Sequence, residues 1–305
     1  MAILNNIHRK AILVSLSITS WAARKFDRIV TGEIRRQHNA TNPGRFNKRL
    51  LGSKKTDANG IETTERNEYG RLKECMNKAR ADHYAQTLAW GNENWRLLPT
   101  ANLDEYMKRE RANKVEFSKC LRDFVLAYPS LRDATQAALG DLFNEADYPR
   151  VEIIEAKFTM DYSRQSLPIW GDDTIDGLAA PQVEAIRAEM DQRVTDSTDA
   201  AMTDARKRLG DVVQKMADAM NTKKGQTGYK FRNSKIENVK ELVDVMSRLN
   251  PLGDSEFEAM RDRIEKELTQ HTPQEIRDDK KTRKNLGDKA DKIIADMGQL
   301  FGRSK

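Results

Sequence analysis

Two groups of cations carry the most legible chemistry in this chain. Arg24, Lys25, Arg28, Arg35, Arg36, Arg45, Lys48, Arg49, Lys54 and Lys55 crowd the N-terminal part. Further along, Lys223, Lys224, Lys230, Arg232 and Lys235 surround Tyr229 and Phe231, with no acid before Glu237. Cations interleaved with rings suit single-stranded nucleic acid. Each ring stacks on a base for about 1–3 kcal/mol while the cations follow the phosphates. The expected contacts are Lys223, Lys224, Tyr229, Lys230, Phe231, Arg232 and Lys235 at a helix-connecting turn, assisted by Arg45, Lys48 and Arg49. The helix starting near Lys235 would add its positive dipole end. The alternative is that Tyr229 and Phe231 pack inward and the basic head docks on the acidic segment 121–222 of its own or a neighbouring chain.

Other chemistry is sparse. The histidines His8, His38, His83 and His271 stand singly, with no partner at ligand spacing, so no metal site is expected. There is no phosphate loop, dinucleotide fingerprint or nucleophile elbow. Gly225-Gln-Thr-Gly228 matches a bare GXXG but lacks the strands of a KH domain, and reads as a helix connector. Asp172-Asp173 lies in an acid-rich segment and reads as a solvated face. No catalytic, cofactor-binding or metal-binding residue is expected. Cys75 and Cys120 fall in helical patterns and read as buried thiols of a reducing compartment.

The charge is unevenly spread. Residues 1–55 hold twelve Lys/Arg against two acids, and residues 121–222 hold eleven against nineteen, so a net charge of +6 hides a basic head and an acidic middle. Such a head is a footprint for an anionic partner: nucleic acid, a phosphorylated ligand or an acidic protein. With 33% charged and 38% apolar residues, long solvated helices with narrow apolar stripes fit better than a thick sheet core. No run approaches the ~20 apolar residues of a membrane span. Residues 8–23 superficially resemble a secretory signal, but Ser15, Ser17 and the alternation of Ile12, Val14, Leu16 and Ile18 read as a strand. A cytoplasmic setting is therefore expected.

The positioning elements follow from periodicity and caps. A strand is predicted over 11–19, a basic amphipathic helix over 20–37 and a short helix over Arg45–Leu51. A helix over 65–86 follows, then a loop over 88–99 whose Trp90 and Trp95 plug a core. Capping signals at Asn102/Glu105, Ser130/Asp133, Ser234/Glu237, Ser255/Glu258 and Thr272/Glu275 predict helices over 102–128, 131–144, 235–249, 255–270 and 273–301. Alternation over 151–162 predicts a bulged strand pairing with 11–19. Pro181 opens a helix to about 220, which should bury Ile186, Met190, Val194, Leu209 and Met216. The fold class expected is mainly α: an elongated helical bundle with a small antiparallel β ribbon. The expected domains are 1–165, basic with the ribbon, and 166–305, a long-helix, coiled-coil-like region.

Leu16-Ser-Ile-Thr-Ser-Trp21 with Arg24-Lys25, Gly44-Arg-Phe-Asn-Lys48, Thr87-Leu-Ala-Trp90, Arg96-Leu-Leu-Pro99, Asp147-Tyr-Pro149, Phe231-Arg-Asn-Ser234 and Leu249-Asn250 follow in this order along the chain. On these stretches it resembles an uncharacterised family of helical proteins of tailed phages and bacteria. Genes of that family tend to lie near those of MoxR-type ATPases and von Willebrand-type domain proteins. The resemblance implies a helical partner of such a machine and supplies no active residues. The function expected is a non-enzymatic interaction or scaffold protein that engages a protein partner or self-associates. The alternative is a nucleic-acid-binding accessory of phage DNA metabolism using the clusters at 24–55 and 223–235.

Overall fold

A computed structural model describes residues 4–51, 54–56, 62–64, 67–91, 94–167, 179–221 and 234–301. In chain order the elements are α1 (Leu4–Lys10), β1 (Ala11–Thr19), β2 (Arg24–Phe26), α2 (Arg28–Gln37), β3 (Asn47–Arg49), β4 (Lys54–Thr56) and β5 (Glu62–Thr64). They continue with α3 (Glu68–Ala85), β6 (Leu88–Ala89), β7 (Arg96–Pro99), α4 (Leu103–Leu139), α5 (Val151–Ile154) and β8 (Thr159–Gln165). The last are α6 (Ala180–Asn221), α7 (Ser234–Arg248), α8 (Ser255–Leu268), α9 (Pro273–Asp278) and α10 (Lys280–Phe301). The protein is mainly α with a small antiparallel sheet. Two compact units interleave along the chain: unit 1 holds residues 1–15, 83–107 and 163–305, and unit 2 holds 16–82 and 108–162. Unit 1 takes in 1–15 and 83–107 together with 163–305, an interleaving that has no sequence signal.

Unit 1 is built around α6. Val194, Thr198, Ala201, Met202, Ala205, Leu209, Val213, Met216, Ala217 and Met220 recur at short helical steps and are all buried. Against them lie Leu286, Ala290, Ile293 and Met297 of α10 and Phe257, Met260, Ile264 and Leu268 of α8. Gly287 allows the close crossing of α6 and α10, since a Cβ there would meet Asn221 Oδ1 at 2.7 Å and Met220 Cβ at 3.3 Å. The apolar stripe begins later than the sequence indicates. Ile186 and Met190 are only partly covered, and burial starts at Val194.

The caps hold in part. Thr272 makes the full capping box with Glu275 and has Pro273 at the first helical position. For α8 the N-cap is Asp254, one residue before the expected Ser255, because its carboxylate reaches the Glu256 and Phe257 amides. The single helix expected over 273–301 breaks at Asp279 into α9 and α10.

Residues 88–99 are not a loop. Short β6 and β7 pair antiparallel, Leu88 with Leu97, and β7 pairs with β1 from Ala11↔Pro99 to Val14↔Arg96. Trp90 is buried and Trp95 packs against the same core, as the plug reading requires. Polar ties fix this hairpin onto α6. Asp204 accepts the Ala89 amide at 2.9 Å and pairs with Arg96 and Arg208. Arg96 Nε donates to Thr87 Oγ1 at 2.7 Å, and Thr87 Oγ1 donates to the His83 carbonyl at 2.6 Å. Asn102 does not cap α4. Its amide nitrogen donates to Gln86, and its carbonyl oxygen accepts from Arg248 Nε at 2.9 Å.

Buried His83 lies 2.8 Å from the Tyr106 hydroxyl through Nδ1. Burial, and then the nearby Arg96 cation, push its pKa down to about 4. The unfolded chain titrates near 6.5, so between those values the unfolded state binds a proton that the folded state refuses. Stability is therefore full above about pH 6.5 and falls as pH drops toward 4, by roughly 2–3 kcal/mol at pH 4.5. Urea unfolding of the parent and of His83→Gln at pH 7.5 and 4.5 tests this. The variant should lose that much less stability on acidification, and an identical fall in both proteins would remove His83 as its source.

Unit 2 packs α3 and α4 around aromatic rings. Phe124 lies 5.6 Å from Tyr69, 5.7 Å from Tyr128 and 5.4 Å from Phe158, in edge or tilted contacts. Trp21 meets Tyr69, Tyr128 and Tyr148 edge-on at 6.1–6.5 Å. Burial raises Tyr69, Tyr128, Tyr148 and Tyr162 to about 12, so these phenols stay protonated. Cys75 of α3 and Cys120 of α4 face each other with their Cα atoms 7.2 Å apart, wider than a disulfide spans without backbone movement. The facing helices bring them together across a separation of 45 residues that spacing alone does not bridge.

Several local expectations fail in unit 2. The helices predicted over 102–128 and 131–144 are one helix running through Pro129. Proline in a helix interior costs about 3 kcal/mol, and packing offsets it here. Tyr128 is buried and donates to the Pro149 carbonyl at 2.8 Å, while Ser130, expected as a cap, donates back to the Ala127 carbonyl. Residues 151–157 are a helical turn and a 3-10 turn rather than a strand. Their apolar alternation reflects one buried contact, Ile154. The strand starts at Thr159, and β8 is indeed a sheet neighbour of β1, with Thr19 Oγ1 accepting the Thr159 amide at 3.1 Å.

Candidate nucleic-acid interface

The basic head folds as a compact module within unit 2. Instead of one helix over 20–37 and another over Arg45–Leu51, β2 and β3 pair antiparallel in the register Arg24↔Arg49, Lys25↔Lys48 and Phe26↔Asn47. The helix begins only at Arg28, because Asp27 caps it by accepting the Ile29 and Val30 amides at 3.0 Å. Thr31 Oγ1 donates to the Asp27 carbonyl at 2.7 Å and accepts the Phe46 amide at 3.1 Å, tying α2 to the approach of β3. Ala23 and Asn39 take positive φ where the chain turns into β2 and out of α2. Three-residue strands are too short for an alternation to be read from sequence.

Cross-strand partners share a face, so the ribbon sorts its charges. Lys25 and Lys48 lie on one face. Lys48 is only 7% exposed, with Nζ 2.8 Å from Asp147, 3.7 Å from Asp27 and 3.0 Å from the Leu142 carbonyl. That lysine is a structural tie and is withdrawn as a nucleic-acid contact. Lys25 also reaches Asp147, at 3.7 Å, but stays largely exposed. The other face carries Arg24 opposite Arg49 and Phe26 opposite Asn47, all exposed. Like charges directly opposite destabilise a strand pair, and a bound anion would relieve that repulsion. Arg45 lies over the Phe26 ring at 5.5 Å.

From α2, Arg28, Arg35 and Arg36 are exposed, as is Ile29 at 74%. Among the described residues, no carboxylate forms an ion pair with Arg24, Arg28, Arg35, Arg36, Arg45 or Arg49. Glu33 is the exposed acid of the module, since Asp27 is engaged by the cap and by Lys48. Such a surface can hold an extended polyanion through several guanidinium groups at once.

Of the sequence-predicted contacts, Arg45 and Arg49 thus stand together in this module. Lys223, Lys224, Tyr229, Lys230, Phe231 and Arg232 lie outside the described residues, and Lys235 belongs to the first turn of α7. The sequence shows Arg24, Arg28, Arg35 and Arg36 as a cluster but gives no sign of the ribbon that presents Arg24. No group of three or more metal-ligating side chains occurs among the described residues. No described helix is long and apolar enough to cross a membrane. Compared with protein-family models, with curated proteins and with solved structures, the chain finds no match.

Proposed function

We propose that this chain is a non-enzymatic nucleic-acid-binding protein whose anionic ligand is held by the β2–β3–α2 module. The observation that carries the reading is the set of exposed arginines Arg24, Arg28, Arg35, Arg36, Arg45 and Arg49. They form no ion pair among the described residues and are held on a structured ribbon and helix rather than on a loose tail. The resemblance to helical proteins of tailed phages fits an accessory of phage DNA metabolism acting in the bacterial host cytoplasm. The test is DNA binding across a salt series. Phosphate-driven binding falls steeply with salt, the logarithm of affinity dropping by about 0.9 per phosphate engaged against the logarithm of salt concentration. A slope of about −4 or steeper is expected, and no binding at about 50 mM salt would sink the reading.

A second reading is favoured by the start of α6. Val183, Ile186 and Met190 form an apolar stripe there that the fold covers only partly. A protein partner, such as a MoxR-type ATPase system, or self-association would complete its burial. That scaffold role is compatible with nucleic-acid binding and survives without it. Sedimentation of the parent and of Ile186→Asp separates the two readings, since only the scaffold reading depends on this stripe.

A further inference from the structure

Gly32 stands in the middle of α2, and nothing in the described fold calls for a glycine there. Its backbone is ordinary right-handed helix, and a Cβ built on it meets no atom within 4 Å. Glycine in a helix interior is less stable than alanine, so the position carries a cost with no packing return. Gly287 differs, because neighbouring side chains crowd it. One turn away from Gly32 on the helix surface are Arg28 on one side and Arg35 and Arg36 on the other. All three are exposed, whereas Val30 and Ile34, on the opposite side of the helix, are partly covered.

We infer that this face of α2 is a seat for the sugar-phosphate backbone of a nucleic-acid duplex. Gly32 is the floor where that backbone comes nearest, and Arg28, Arg35 and Arg36 are the walls. The inference rests on the nucleic-acid reading above and adds the class of ligand. A single strand is held by exposed rings on which bases stack. In residues 20–51 the exposed rings are Phe26, over which Arg45 already lies, and the lone imidazole of His38 at the end of α2. A rigid helix bearing long cations on one face suits a duplex, whose strand holds its phosphates in a regular line that guanidinium groups can follow. Contacts to phosphate fix position without reading bases, so the duplex is bound with little sequence preference.

The test is fluorescence anisotropy with a 20-base-pair DNA duplex and its separated strand, on the full chain at several salt concentrations. The duplex should bind more tightly than the strand. Gly32→Ala should raise the melting midpoint by about 2–4 °C yet weaken duplex binding. Gly32→Leu should weaken it by about tenfold or more, because the longer side chain holds the phosphates off the arginines. Gly298 of α10 has equally open surroundings, and Gly298→Leu should leave affinity unchanged. If Gly32→Leu bound the duplex within about twofold of the parent, the seat would be refuted. Preference for the single strand would overturn the ligand class and leave nucleic-acid binding standing. A parent that bound neither DNA would overturn both the seat and the function it rests on.

Discussion

Replacing Leu209 by Asp should destabilise unit 1 by about 4–5 kcal/mol, enough to unfold a marginally stable domain. Leu209 is fully buried at the centre of the α6 stripe, with Ala205 and Val213 one turn to either side. The substitution removes the apolar transfer and packing of a core leucine and places a carboxylate among the apolar side chains packed around α6. The carboxylate must either stay neutral at a raised pKa or draw water into the core. Thermal and urea unfolding followed by circular dichroism would show the loss. Ile186→Asp on the same helix, outside the buried stretch, should cost under about 1 kcal/mol. Equal effects at the two positions would show that the packing face is misplaced.

Neutralising Arg24, Arg28, Arg35 and Arg36 together as glutamines should weaken DNA binding on the order of 100-fold at physiological salt. It should also flatten the salt dependence by about 0.9 for each phosphate that is no longer engaged. The loss should be similar for all sequences, because guanidinium–phosphate contacts carry no base information. The fold should tolerate the change. All four side chains are exposed, and none forms an ion pair with a described residue. Removing the repulsion between Arg24 and Arg49 should even help the ribbon slightly. An unchanged salt slope in the quadruple variant would move the binding surface elsewhere, with Lys223, Lys224, Lys230 and Arg232 the next positions to neutralise.

Much of unit 1 was legible because its elements are long. The α6 stripe repeats at three- and four-residue steps over many turns, and the Thr272/Glu275 box announces α9 on its own. Periodicity of that length leaves little room for another structure. The charge pattern likewise marks the basic head before any geometry is known. Short elements were not legible. Three residues at 24–26 and three at 47–49 show no alternation, and whether they pair depends on a partner about twenty residues away. Their cations look alike in the sequence, yet Lys48 is locked onto Asp27 and Asp147 while Arg49 beside it faces solvent.

The sequence by itself determined a mainly α chain, the extent of its longest helix and the location of excess positive charge. Those properties are set by local propensity and by sums over many residues, which a single chain carries in plain view. Tertiary structure decided the rest: the route of 83–107 into unit 1, the unbroken course of α4 through Pro129, the meeting of Cys75 with Cys120 and the sorting of structural from exposed cations. Each of these depends on residues far apart in sequence coming together. The free energy of such a meeting comes from burial or from a paired charge, and neither exists until the chain has folded.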